Sequence, residues 1–344
     1  MDRRGFLLAS CATLALAGRG HADDLDDQVA RLASEGHICA VSATVLRNGH
    51  EVRALSASGC GANPGSDAVF QAASLSKPVV AYVTLQLARR GELSLDRPLS
   101  EIFPDGYQHR QNLFALKAAP IVDTVPVDIL RTVTPRLLLS HGAGFPNWAS
   151  DGPLTQTSAP GTRWQYSGEG YVLLQRMLET LTGRPLQQLA EQELFAPIGV
   201  TNTAFKLTPA IQTRLVAGSP RQLRFPYEIA ASSLYTTAND YARFMATVLN
   251  DEQLLSSITR DPRKLSAPRL SWGLGWGLEE KDHPVAIWHW GSNPGFRALA
   301  MANLQSRDAI VVLTSSDAGM PLAKTLLGSV MQGDHPALAL DLVR

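Results

Sequence analysis

Ser74 and Lys77 stand three residues apart in the run QAASLSKPVVA. On a helix that spacing puts both side chains on one face, about one turn apart. A lysine there can take the serine proton, provided that burial or a neighbouring positive charge first strips the lysine of its own. A serine at the start of the helix gains in addition from unpaired N–H groups and the positive dipole end, which favour the oxyanion formed on attack. The pair therefore reads as a serine nucleophile with a lysine base, the chemistry of covalent acyl transfer. Other hydrolytic chemistries have less to stand on. The eight histidines form no H-x-H-x-D or H-E-x-x-H cluster, so neither a metal nor any other cofactor is expected. There is no G-x-S-x-G elbow of the α/β-hydrolase type. His141, just ahead of Gly142 and Gly144, reads as a packing or capping residue at a helix end.

Four further segments accompany this pair: residues 137–146 (LLLSHGAGFP), 160–171 (PGTRWQYSGEGY), 232–244 (SSLYTTANDYARF) and 288–296 (WHWGSNPGF). In their order and spacing they resemble the serine β-lactamase and penicillin-binding-protein superfamily, particularly its class C-like branch with its esterases and D-amino-acid peptidases. The resemblance implies Tyr166 as proton-handling partner of Ser74 and Lys77. It would act as a base, or as the acid for the leaving group, with Lys77 holding its pKa down. Tyr171 reads as an inward-packing helix residue. The resemblance also implies a third motif at His289, Trp290 and Gly291: His289 as a donor with partial positive charge facing the serine, and Gly291 as room for the substrate backbone. The N–H groups of Ser74 and Ser292 would form the oxyanion hole. Two departures weigh against amide substrates. Gly168 replaces the asparagine of the family's Tyr-x-Asn, and Trp290 stands where a small hydroxyl residue often meets a substrate carboxylate. Arg297 reads equally as an anion contact or a strand-end charge.

The elements that must hold these residues form two groups. A helix over 24–35 and a hairpin over 38–58, turning at Asn48 and Gly49, open the chain; a helix follows over 74–90. Helices are expected over 134–140, 168–182, 185–195 and 238–250, and residues 107–127 read as a lid-like insertion. Strands return over 273–278, 285–290, 298–304 and 309–314, followed by a helix over 320–331. This predicts an α/β (α+β) fold of β-lactamase/transpeptidase type. An antiparallel sheet built from both termini (24–70 and 271–344) carries an inserted helical layer (71–270), with a cleft between them.

The chain has 344 residues, 45% hydrophobic and 18% charged, with no net formal charge, so it can bury a large core and offers no basic tract for nucleic acid. Residues 1–22 read as an export signal: Arg3 and Arg4, an apolar stretch, then small residues ending at Ala22. The Arg-Arg-Gly-Phe-Leu order favours a twin-arginine route to the periplasm or outside over a lipoprotein anchored at Cys11. Residues 23–344 would then be one catalytic domain, with no later stretch long enough to span a bilayer. Pairing Arg47 with His50 places Cys39 opposite Ser58 with Cys60 on the diagonal, so a disulfide or two buried thiols both fit. The expected function is hydrolysis of a small carboxylic ester. The alternatives are a DD-carboxypeptidase, a class C-like β-lactamase, or a penicillin-recognising sensor with little turnover; all take a small ester, peptide or β-lactam.

Overall fold

The computed structural model describes residues 14–115, 119–149 and 152–343. Arg3, Arg4 and Cys11, on which the export reading rests, lie outside them. Twelve strands are described: β1 (Val41–Arg47), β2 (His50–Ala57), β3 (Phe70–Ala73), β4 (Tyr107–Arg110), β5 (Val122–Val125), β6 (Leu234–Thr236), β7 (Arg263–Lys264), β8 (Leu270–Trp272), β9 (Gly277–Glu280), β10 (Pro284–Asn293), β11 (Phe296–Asn303) and β12 (Ala309–Thr314). Eight of them form one antiparallel sheet in the order β2-β1-β12-β11-β10-β9-β8-β7, so strands from the two ends of the chain meet where β1 pairs with β12.

Alternation along these strands sorts side chains to two cores. On β12, Ala309, Val311 and Leu313 join the core shared with the inserted helices. Ile310 and Val312 join the core under the Leu14–Glu35 and Gly319–Val330 helices. On β11 the residues facing the insertion are Ala298, Ala300 and Ala302, whose small side chains let other elements lie close. Lying across that face is β3, paired only with β6, and its end delivers Ser74 to the start of the Ser76–Arg89 helix.

The structure settles or corrects the expectations at several places. The first helix begins at Leu14 instead of 24 and runs through the expected cleavage point at Ala22. The β1–β2 hairpin turns at Asn48 and Gly49, both with positive φ, but a bulge at Val45/Leu46 shifts the pairing by one residue beyond it. Cys39 and Cys60 are disulfide-bonded, with Cα atoms 4.7 Å apart. Residues 273–276, expected in a strand, form the β8–β9 turn: Gly275 has φ +88°, and a Cβ there would meet Ala81 at 2.2 Å. The insertion holds the β4–β5 hairpin, and a further helix, Glu252–Thr259, precedes β7, which joins the sheet from within the expected helical span.

Candidate active site

Ser74 sits in the turn between β3 and the Ser76–Arg89 helix, two residues short of the helix itself. The preceding Ala73 has φ +52°, a left-handed conformation that costs a residue with a side chain about 1 kcal/mol or more. Its surroundings impose it. Ser76 Oγ donates to Ala73 O at 2.6 Å and accepts from Leu234 N at 3.0 Å, and Leu75 N donates to Ala72 O. The result leaves Ser74 partly accessible, and its amide N–H has no partner among the described residues.

Lys77 lies one turn on, wholly buried, its Nζ donating to Ser74 Oγ at 3.0 Å and to Ala231 O at 2.7 Å. No described carboxylate forms an ion pair with it. Burial therefore pushes its pKa well below 10.5, towards the neutral amine that can accept a proton. Above it, the Tyr166 ring centroid is 4.8 Å from Nζ. The Tyr166 oxygen is buried without a hydrogen bond of normal geometry. Burial raises its pKa; the adjacent Ser74 hydroxyl is the one group that lowers it. The lowering of the Tyr166 pKa expected from Lys77 is not what dominates; burial does. Burial thus favours the uncharged form of both groups beside the serine, so an amine able to accept a proton and a phenol able to donate one meet there.

The tyrosine is seated by aromatic neighbours: His141 at 4.5 Å and Trp290 at 4.8 Å between ring centroids. His141 does more than cap a helix. It has φ +53°, and its Nδ1 accepts from Ser167 N at 3.1 Å, fixing the residue after Tyr166. Tyr171 packs inward, its hydroxyl donating to Leu139 O. Trp290, read from the sequence as facing substrate, is only 5% exposed and shares its side of the sheet with Trp288, so it backs the tyrosine instead.

His289 is fully buried, and its ring is 6.3 Å from that of Tyr166. Its Nδ1 stands 2.8 Å from Trp290 O, and because a carbonyl only accepts, Nδ1 carries the proton. Burial, then nearby Lys77, pushes its pKa down to about 3. The charged donor expected here is therefore a neutral ring whose Nε2 is a buried acceptor without a partner. Gly291 also differs from expectation. A Cβ there would lie 2.3 Å from Ala72 O, so the close approach that it permits is that of β3. Ser292 is exposed just beyond it, on the stretch of β10 past Trp288 that has no pairing with β9. Arg297 is tied to Asp317 at 2.9 Å and to two backbone carbonyls, a structural role.

Several contributors carry no sequence signal. Ala231 offers Lys77 a backbone carbonyl. Asn293 donates to Gln71 Oε1 and Ser232 O, joining the two strands beside the serine. Asn147 accepts from Gly168 N, and Trp148 packs over Gly168. No group of His, Cys, Asp or Glu among the described residues is arranged to hold a metal.

The model of the Beta-lactamase family matches residues 22–332. The chain is 25% identical over 312 residues to penicillin-binding protein 4 of Amycolatopsis lactamdurans, covering 77% of each. It is 25% identical over 275 residues to esterase EstB of Burkholderia gladioli, covering 64% of this chain and 69% of that one. A solved class C beta-lactamase superposes with a TM-score of 0.74 at 16% identity, covering 95% of this chain and all of the other. With a mixed fold that brings Ser74, Lys77 and Tyr166 together, and a family match across nearly its whole length, the chain belongs to the beta-lactamase family.

Proposed function

We propose that this protein is a serine hydrolase that cleaves small carboxylic esters through an acyl-enzyme on Ser74. The observation that carries the reading is Lys77 Nζ, buried without a carboxylate and 3.0 Å from Ser74 Oγ. The neutral amine takes the serine proton as Oγ attacks the ester carbonyl, and the oxyanion is met by the N–H groups of Ser74 and Ser292. As the tetrahedral intermediate collapses, Tyr166 gives its proton to the departing alkoxide and regains one from the Lys77 ammonium. The acyl group remains on Ser74. Water then adds to the acyl-serine with Lys77 again as base, releasing the carboxylic acid and restoring the serine hydroxyl.

Esters are favoured over amides because the family's asparagine position is Gly168, with a tryptophan ring packed against it. EstB, named an esterase, lies among the relatives, alongside penicillin-binding protein 4. We further propose export by the signal at residues 1–22, with residues 23–344 as a single catalytic domain. N-terminal sequencing of secreted protein should begin at Asp23. No helix among the described residues is long and apolar enough to cross a membrane.

The test compares the purified protein with Ser74→Ala on p-nitrophenyl butyrate, a chromogenic cephalosporin and a D-Ala-D-Ala peptide. Ester turnover that disappears in the variant supports the proposal. Faster turnover of the cephalosporin or peptide replaces it with the lactamase or peptidase reading, a burst without turnover replaces it with a sensor, and activity surviving in Ser74→Ala removes the mechanism.

A further inference from the structure

The segment after Tyr166 is built around a missing side chain. A Cβ on Gly168 would stand 2.8 Å from Asn147 O and 2.8 Å from Cη2 of Trp148, so neither an asparagine nor any other side chain fits while Trp148 stays where it is. Trp148 is held there firmly. Gly168 N donates to Asn147 Oδ1 at 3.0 Å, Glu169 N donates to Asn147 O at 3.1 Å, and Ala149 N donates to Glu169 Oε1 at 2.9 Å. These bonds pin the residues on both sides of the indole to the start of the Gly168–Thr182 helix.

The indole continues into an aromatic wall. Phe114 meets it edge to face at 5.0 Å, and Phe225 meets Phe114 at 6.3 Å. All three rings are only half-buried, so each keeps a surface to offer. Chain neighbours and hydrogen bonds tie the wall to the site at both ends. At one end Trp148 lies against Gly168, two residues past Tyr166. At the other, Phe225 follows Leu223, whose carbonyl accepts from Gln71 three residues before Ser74. Gln71 in turn accepts from Asn293, the neighbour of Ser292.

We propose that Trp148, with Phe114 and Phe225, is the specificity surface of this enzyme and selects esters whose acyl group carries an aryl or branched apolar substituent. The inference rests on the ester-hydrolase reading and names its substrate class. Two physical reasons support it. Aromatic faces reward a flat or bulky apolar group with contact that a methyl group cannot make. They also offer almost nothing to an amide: apart from the Trp148 N–H, the wall has no donor or acceptor, so a peptide pressed against it would leave its own polar groups unpaired.

The test holds the leaving group constant and changes the acyl group. kcat/KM is measured for p-nitrophenyl acetate and p-nitrophenyl phenylacetate with the full-length protein, Trp148→Ala and Trp148→Phe. Expected is a wild-type preference for phenylacetate that falls about tenfold in Trp148→Ala, about 1.4 kcal/mol, and largely survives in Trp148→Phe. Phe114→Leu should reduce the same ratio, and it carries the comparison if Trp148→Ala does not fold. A ratio unchanged by Trp148→Ala and Phe114→Leu overturns the inference while leaving the esterase reading intact. A preference that follows the alcohol when ethyl and benzyl esters of one acid are compared overturns it likewise. Failure of the wild-type protein to turn over any ester overturns the esterase reading and the inference together.

Discussion

Lys77 and His109 are both fully buried, yet the molecule surrounds them in opposite ways. Lys77 has a hydroxyl and a carbonyl for company and no carboxylate. His109, on β4, has its Nδ1 2.7 Å from Asp123 on β5 and its Nε2 3.2 Å from Glu169 at the start of the Gly168–Thr182 helix. Burial opposes charge in both. At Lys77 nothing answers it, and the pKa falls well below 10.5. At His109 the bonds to Glu169 and Asp123 outweigh it, and the pKa rises above 6.5. The fold thus biases Lys77 towards the neutral amine and His109 towards the imidazolium. The second site has a structural task, because Glu169 also holds Ala149, and Asp123 also holds Leu154. It ties the hairpin insertion, the Trp148 loop and the helix after Tyr166 together.

The sharpest way to break this contrast is to remove each group in turn. Lys77→Met should lower kcat/KM on p-nitrophenyl butyrate about a thousandfold, since Ser74 without its base has no route for its proton. Retention within tenfold would mean that Tyr166 is the base after all. His109→Leu should cost about 3 kcal/mol in urea unfolding, because it leaves the buried Glu169 and the partly buried Asp123 without their cation. A cost below about 1 kcal/mol would show that the cluster is wet and weakly coupled. Lys77→Met should do the reverse and stabilise the fold by about 1–2 kcal/mol at neutral pH, since it removes a desolvated amine that has no anion to offset its burial.

The pH dependence gives a finer test, with opposite signs at the two sites. His109, whose folded pKa is raised, contributes stability that is fully present below 6.5 and is lost as pH rises through its folded value. The stability gap between wild type and His109→Leu should therefore shrink on raising the pH; a gap that grows would contradict the ion-pair assignment. Lys77, whose folded pKa is depressed, makes the protein less stable as pH falls from 10.5 towards its folded value, and Lys77→Met should flatten that slope. Because His289 titrates at about 3, it should leave no limb near 6.5 in the rate profile. The smallest expected effect is at Gly168. An alanine would ordinarily favour a helix, but here its Cβ meets Asn147 O and the indole at 2.8 Å, so Gly168→Ala should cost about 1 kcal/mol in thermal unfolding. A gain would show that the Trp148 loop yields easily, and would weaken the specificity argument with it.

Much of this was legible without coordinates wherever the signal was local. The Ser74–Lys77 spacing, the Asn48–Gly49 turn, the apolar run of β12 and the apolar period of the Gly168–Thr182 helix each depend on neighbours a few residues away. The bulge at Val45/Leu46 and the turn at Gly275 were not legible. Both are settled by what packs opposite, not by the residues themselves. The same holds for the site. Its candidate nucleophile, lysine and tyrosine could be named from motifs, but their protonation could not.

By itself, then, the sequence determined which chemical groups are present, the order of the main elements and the family to which they belong, because these follow from residue type and short spacing. Tertiary structure decided that Lys77 lacks an anion and that His109 has two. It also decided that Trp290 backs the tyrosine while Trp148 covers Gly168, and that Gly291 makes room for the chain's own strand. Each of these is a matter of burial and of partners brought from tens to hundreds of residues away, and desolvation and charge depend on that company.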